Sequence, residues 1–221
     1  MTVPHKAEAA KLVDDPSEAV VKTGACNTFW LEGGRIRGEN TDVTGFRGAV
    51  RSLLGRGAEG MRVLLRGAGG AARGALFALI QDGVDEVVLW NRTPERAERI
   101  AEGLGAGVAR VARSATELGG APFDLVVNAT SLGLGVRDPL PVDPERLRDP
   151  GALLDLVYQP AETELVRRAR ELGIPAADGG EMLVLQGAAA FELWWDRAAP
   201  LAVMREALAQ ARGDIAGVAG A

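Results

Sequence analysis

The segment Val63-Leu64-Leu65-Arg66-Gly67-Ala68-Gly69-Gly70-Ala71-Ala72 constrains the fold more than any other stretch of the chain. It holds a G-x-G-x-x-A pattern between an apolar run that reads as a strand and a run that reads as a helix. Gly67 permits a tight turn, Gly69 lets backbone approach a pyrophosphate, and Ala72 is small enough for helix to pack on strand. The start of that helix offers unpaired N–H groups and the positive end of its dipole to phosphate. A glycine turn alone is as compatible with packing as with phosphate binding, so the surroundings decide its weight. Apolar runs at 63–65, 87–90, 108–111, 125–128, 153–155 and 174–176 are interleaved with helical or polar segments, the clearest helices at 71–80 and 94–102. This alternation predicts an α/β chain with a doubly wound parallel Rossmann-type sheet that binds a dinucleotide.

The tip of the second predicted strand refines the cofactor. A sheet of this kind that holds NAD places Asp or Glu there, against the ribose 2′-hydroxyl. Here the strand ends Leu89-Trp90-Asn91-Arg92-Thr93, without a carboxylate. Arg92 and Arg96, one helical turn apart, can make charge-assisted bonds to a 2′-phosphate, and Thr93 can add a hydroxyl or cap the helix. The pattern points to NADP. As plain solvated residues at a helix start the two arginines would look the same in sequence. Arg66, at a strand end where an apolar residue is expected, can reach the cofactor or lay its stem along the surface.

The flanks differ from this alternating region. Ahead of it come a helical pattern at 7–13, then runs at 28–31 and 35–37 separated by Gly33-Gly34, which read as a hairpin. Asp42 or Thr44 can cap a helix reaching to about Leu54. After Gly179-Gly180, two helical patterns at 182–195 and 201–211 are expected to return towards the first region, with a frayed Gly/Ala-rich tail. We therefore divide the chain into a first unit at 1–59, the Rossmann domain at 60–180 and C-terminal helices at 181–221. A formal net charge of −5, with acidic and basic residues intermixed, provides no stripe for a nucleic-acid backbone. The lone cysteine, Cys26, cannot form an internal disulfide, and no signal peptide or membrane-spanning run is evident, so a cytoplasmic location is expected. No metal-ligand spacing occurs; His5 and Cys26 read as structural, and Trp194 and Trp195 as core.

Several strings together resemble the shikimate dehydrogenase family. They are Thr2-Val3-Pro4-His5-Lys6, Gly24-Ala25-Cys26-Asn27-Thr28, Gly38-Glu39-Asn40-Thr41-Asp42-Val43-Thr44-Gly45-Phe46 and the Gly67 loop. Asn91-Arg92-Thr93, Asn128-Ala129-Thr130, Asp155-Leu156-Val157-Tyr158 and Gly179-Gly180-Glu181-Met182-Leu183-Val184-Leu185-Gln186 continue the likeness over nearly the whole chain. The resemblance implies reversible hydride transfer between NADPH and 3-dehydroshikimate, giving shikimate in aromatic amino-acid biosynthesis. It makes Lys6 and Asp42 the catalytic pair and Thr2, Asn27, Asp42, Tyr158 and Gln186 substrate contacts. Gly67, Ala68, Gly69, Gly70, Ala71, Asn91, Arg92, Thr93 and Arg96 become cofactor contacts, with Leu156 and Gly179 beside the nicotinamide. The residue types suit the chemistry, because ketone reduction needs a proton donor at the forming alkoxide and a carboxylate can orient an ammonium for that task.

The resemblance also places Met1 inside the family's Asn-Val-Thr-x-Pro-x-Lys string. It implies that 1–59 is a second, incomplete α/β substrate domain whose opening, with a pair of carboxylate-binding serines, is missing, and that the chain as written turns over poorly. A non-catalytic NADP-binding paralogue or sensor, or a dehydrogenase acting on quinate as well as shikimate, stays open at this point, as does a monomer or a homodimer.

Overall fold

The computed structural model describes residues 5–105, 107–118, 120–135, 138–159 and 162–219, with side chains as far as 213. The chain begins with helix α1 (Lys6–Leu12), strand β1 (Asp15–Pro16), helix α2 (Glu18–Thr23) and the hairpin β2 (Thr28–Glu32) and β3 (Arg35–Glu39). These strands form a three-stranded sheet in the order β1-β3-β2, with β1 parallel and β2 antiparallel to β3. Helix α3 (Thr41–Leu54) then leads to β4 (Arg62–Arg66), α4 (Gly70–Gln81), β5 (Glu86–Trp90), α5 (Pro94–Leu104) and β6 (Ala109–Ala112). Strands β7 (Leu125–Asn128) and β8 (Leu153–Asp155), helix α6 (Glu164–Glu171), β9 (Ala176–Ala177) and helices α7 (Gly180–Trp195) and α8 (Leu201–Ala219) complete it.

The larger sheet is parallel throughout, in the order β6-β5-β4-β7-β8-β9. Its strands are short apolar runs because both faces are covered, so alternate residues enter opposite cores. Val63, Leu65, Val87, Leu89 and Val127 join α3 and α4 in one cluster, while Leu64, Val88 and Val126 meet Leu165, Val166 and Ala169 of α6 in the other. Strand order reverses between β4 and β7, and ligands of such sheets lie in the crevice beyond the carboxyl ends at that point.

Helix α3 joins the two regions, packing on α4 and most extensively on α7. It is capped by neither Asp42 nor Thr44: Asn40 occupies the N-cap, its side chain accepting from the Asp42 N–H at 3.3 Å. Helix α7 meets the first region through α3 and a Trp194 Nε1 bond to the Phe29 carbonyl at 3.1 Å, and α8 packs on α7. Helix α8 runs to Ala219, its alanines sustaining the helix past the predicted end. Trp194 and Trp195, expected in the core, are 54% and 62% exposed, because they occupy the last turn of α7. The last strand lies at 176–177 rather than 174–176, with Ile174 packed beneath it against the second cluster. Among the described residues no helix is long and apolar enough to cross a membrane.

Candidate active site

The phosphate loop forms at the carboxyl end of β4. Gly67 adopts φ +119°, and a Cβ there would meet the Ala129 carbonyl oxygen at 2.8 Å, so the turn requires glycine. Its N–H donates to the Trp90 carbonyl at 3.0 Å, and the Ala129 N–H to the Arg66 carbonyl at 2.8 Å, tying three strand ends together. Gly69 caps α4 without any side-chain bond, and nothing lies within 4 Å of where a Cβ on Gly69 or Gly70 would project. The first turn of α4 therefore faces open space with its donors uncapped by a side chain. This arrangement fits the diphosphate of a dinucleotide.

A cavity of about 580 Å³ opens over this loop. Gly69, Gly70 and Ala71 form one side of it, Ala129, Thr130 and Ser131 another, and Leu156, Tyr158 and Gly179 a third. Lys6, Asp42 and Gln186 complete the lining. A further cavity of about 380 Å³ shares Lys6, Asp42 and the Gly69–Gly70 turn, and adds Thr23 and Arg73. Lys6 at the start of α1 and Asp42 in the first turn of α3 meet at 2.5 Å, with side chains 22% and 16% exposed. The Asn27 amide donates to the other Asp42 oxygen at 3.0 Å and to Gln186 Oε1 at 3.4 Å. The Asn27 carbonyl oxygen accepts from the Thr41 N–H at 2.9 Å. Three helices and the turn before β2 thus bring one amine, one carboxylate and two amides into a single cluster.

Other sequence-predicted residues lie elsewhere. Asn91, Arg92 and Thr93 follow the end of β5 and Arg96 lies in the first turn of α5, outside the cavity of about 580 Å³ but beyond the strand that neighbours the phosphate loop. Arg92 and Arg96 are exposed, and neither enters a salt bridge among the described residues. Thr93 takes the N-cap position of α5 without a side-chain cap bond, and the Asn91 amide donates to its carbonyl at 2.8 Å. Arg66 turns away from the loop: it donates to the Pro141 and Trp90 carbonyls at 2.8 and 2.9 Å and stacks on the Trp90 ring. Burial, followed by repulsion from Arg92, holds its pKa below the ordinary arginine value. Cys26 is buried, and burial pushes its thiol pKa up, as suits a packing residue. Thr2 lies outside the described residues. Among those residues no group of His, Cys, Asp or Glu is placed to hold a metal ion.

Two contributors escape sequence reading. Thr41 adds its hydroxyl to the Asn27 and Gln186 network, at 3.2 and 3.5 Å. Asp155, fully buried, accepts from Asn128 at 2.7 Å, Thr163 at 2.7 Å and the Val157 N–H at 3.1 Å. Burial pushes its carboxyl above the ordinary value against those bonds. It ties the 128–132 turn to the segment bearing Leu156 and Tyr158, both of which line the cavity. Only their places inside quoted strings marked either residue in the sequence.

A Rossmann-type sheet whose phosphate loop shares a cavity with an amine–carboxylate pair defines a class, the dinucleotide-dependent oxidoreductases. Residues 50–134 match the family model for shikimate / quinate 5-dehydrogenase, and residues 179–209 that for the shikimate 5'-dehydrogenase C-terminal domain. The NADP(+) shikimate dehydrogenase of Moorella thermoacetica is 41% identical, over 98% of this chain and 76% of its own. A shikimate dehydrogenase structure from Thermus thermophilus with NADP(H) and shikimate superposes with a TM-score of 0.81 at 38% identity, over 95% of this chain and 77% of that one. Quinate dehydrogenase from Corynebacterium glutamicum, in complex with NAD, gives a TM-score of 0.83 at 32% identity, over 93% and 74%. The chain belongs to the shikimate dehydrogenase family.

Proposed function

We propose that this chain interconverts 3-dehydroshikimate and shikimate with NADP(H), and that Lys6 and Asp42 are its catalytic pair. The observation carrying this reading is the shared cavity, in which Lys6, Asp42 and Gln186 face the loop suited to a dinucleotide. Bound in that crevice, NADPH supplies the hydride. Lys6 Nζ then gives the second hydrogen, as a proton to the carbonyl oxygen, and recovers it in the reverse direction. Asp42, 2.5 Å away, keeps the amine aimed, while Asn27 holds the carboxylate from its far side. This fixed polar wall lowers the reorganisation needed when negative charge develops on the oxygen. Gln186 and Tyr158 present amide and phenol groups to ring hydroxyls. Arg92 and Arg96, exposed and outside any salt bridge among the described residues, favour the 2′-phosphate of NADP over the free hydroxyl of NAD. A cytoplasmic location, suited to a buried reduced Cys26, and a monomeric or homodimeric state belong to the same reading.

The test is NADP+ reduction followed at the nicotinamide absorbance with shikimate and with quinate as alternative substrates. Turnover of shikimate in preference to quinate is expected. NADP binding without turnover of either compound would leave a binding protein or sensor in its place.

A further inference from the structure

Arg212 stands on α8, a helix with no residue in the cavity wall among the described residues, yet its guanidinium reaches the segments that build that wall. Nη2 donates to the Tyr158 carbonyl at 2.8 Å and to Asp178 Oδ1 at 3.0 Å, while Nη1 donates to Asp178 Oδ2 at 3.2 Å. Asp178 Oδ1 also accepts the Gly180 N–H at 2.7 Å, at the start of α7. The guanidinium lies directly against Gly180, where a Cβ would fall 2.5 Å from Nη2. At the adjoining position a Cβ on Gly179 would fall 2.3 Å from the Leu156 carbonyl oxygen, and the Gly179 N–H already donates to Val157 at 3.0 Å. Two consecutive glycines therefore let one turn press against the 156–158 segment and admit an arginine from α8 across it.

We propose that Arg212 is a positioning residue, which sets the place of Tyr158 and of the Gly179–Gly180 turn in the substrate cavity from the remote C-terminal helix. This inference rests on the dehydrogenase reading above for the identity of the ligand, but not for the positioning itself. Three features separate it from an ordinary surface ion pair. Arg212 and Asp178 side chains are each only 17% exposed. The same nitrogen that pairs with Asp178 also holds the Tyr158 carbonyl, so the salt bridge alone does not account for the geometry. Arg212 Nε is buried without a partner among the described residues, a cost that bonding at both Nη atoms must offset. The guanidinium uses two nitrogens to meet the carbonyl and both carboxylate oxygens, whereas a lysine ammonium keeps the charge but loses the fork.

Tyr158 is the single tyrosine of the chain, so replacing tyrosine with 3-fluorotyrosine gives one fluorine resonance that reports this site alone. The resonance of the unmutated protein is expected to shift on addition of shikimate. Arg212→Gln should move or broaden it before any ligand is added, and raise the KM for shikimate on the order of tenfold. Arg212→Lys, the gentler change, should give the same effects to a smaller extent and decides the matter should the glutamine variant fail to fold. A purely structural Arg212 lowers the melting temperature but leaves both the ligand-free resonance and the KM in place, and that result overturns the proposal. A resonance blind to shikimate in the unmutated protein instead removes the ligand assignment, while the ligand-free comparison still decides the role of Arg212.

Discussion

Gly45 lies inside α3, one turn beyond Asp42, where α3 crosses α7. A Cβ at that position would sit 2.7 Å from the Met182 carbonyl oxygen, 2.8 Å from Gln186 Cβ and 3.0 Å from the Gln186 nitrogen. Two of these atoms are backbone, so no rotamer change relieves the contact, and the helices must separate by roughly 0.5–1 Å to restore ordinary separations. Alanine gains up to about 1 kcal/mol of helix propensity, but overpacking of this kind costs about 1–3 kcal/mol. We therefore expect Gly45→Ala to destabilise the protein by roughly 1–2 kcal/mol, a melting temperature lower by about 2–8 °C. Gly187, inside α7, has nothing within 4 Å of its Cβ direction and provides the control. Gly187→Ala should stabilise by about 0.4–1 kcal/mol. Because Gln186 bonds to Asn27 across this same junction, Gly45→Ala should also lower kcat/KM for shikimate; a shift near 1 Å costs on the order of 10²-fold. Thermal unfolding with steady-state kinetics provides the measurement. A Gly45→Ala protein that is more stable and fully active would refute the reasoning.

Three further outcomes are expected. Lys6→Met should lower kcat by about 10² to 10⁴-fold with NADP affinity nearly unchanged, measured by turnover beside cofactor titration; an unaltered kcat removes Lys6 as proton donor. Arg92→Ala should weaken NADP by roughly 10 to 100-fold and leave NAD as it was, and equal effects on both cofactors would place the 2′-phosphate elsewhere. Burial raises the pKa of Glu86, but Arg110 and Arg62, at 2.6 and 2.5 Å, pull it down by more, so its carboxyl lies below the ordinary value. A depressed carboxyl contributes stability that is present above the unfolded-state pKa, about 4.3, and is lost as pH falls through the folded value. Glu86→Gln should therefore flatten the decline in melting temperature on acidification below about pH 4.5, and an unchanged slope would contradict the assignment.

The parallel sheet was legible because its strands are buried on both faces and read as continuous apolar runs between helical patterns. Short polar elements left no comparable mark. Helix α6 is mostly Glu and Arg, held by Arg167 and Arg168 bonds to Glu164, and only Leu165, Val166 and Ala169 are buried. Helix α2 is six residues long, and its cap Ser17 follows a proline that reads as a break. The glycine loop was legible as a turn opening a helix, since Gly67 and the start of α4 fall within a few consecutive positions. Lys6 and Asp42 were not: they are 36 residues apart and meet only because α1 and α3 converge, so resemblance to a family had to single them out. Asn40 takes the cap because the helix starts at Thr41, which leaves Asp42 inside the first turn with its carboxylate on Lys6. Arg212 lies 54 residues from Tyr158, with nothing local to connect them.

The central claim is that one cavity brings the nicotinamide and the substrate carbinol together beside Lys6. It is tested most directly with shikimate carrying deuterium on its reacting carbinol carbon, incubated with NADP+ and the unmutated protein, followed by analysis of the reduced nicotinamide. The account predicts that each reduced cofactor carries the deuterium on C4, on one face only, and that Lys6→Met slows the transfer without redirecting it. Absence of transfer, or deuterium released to solvent instead of the nicotinamide, would contradict it.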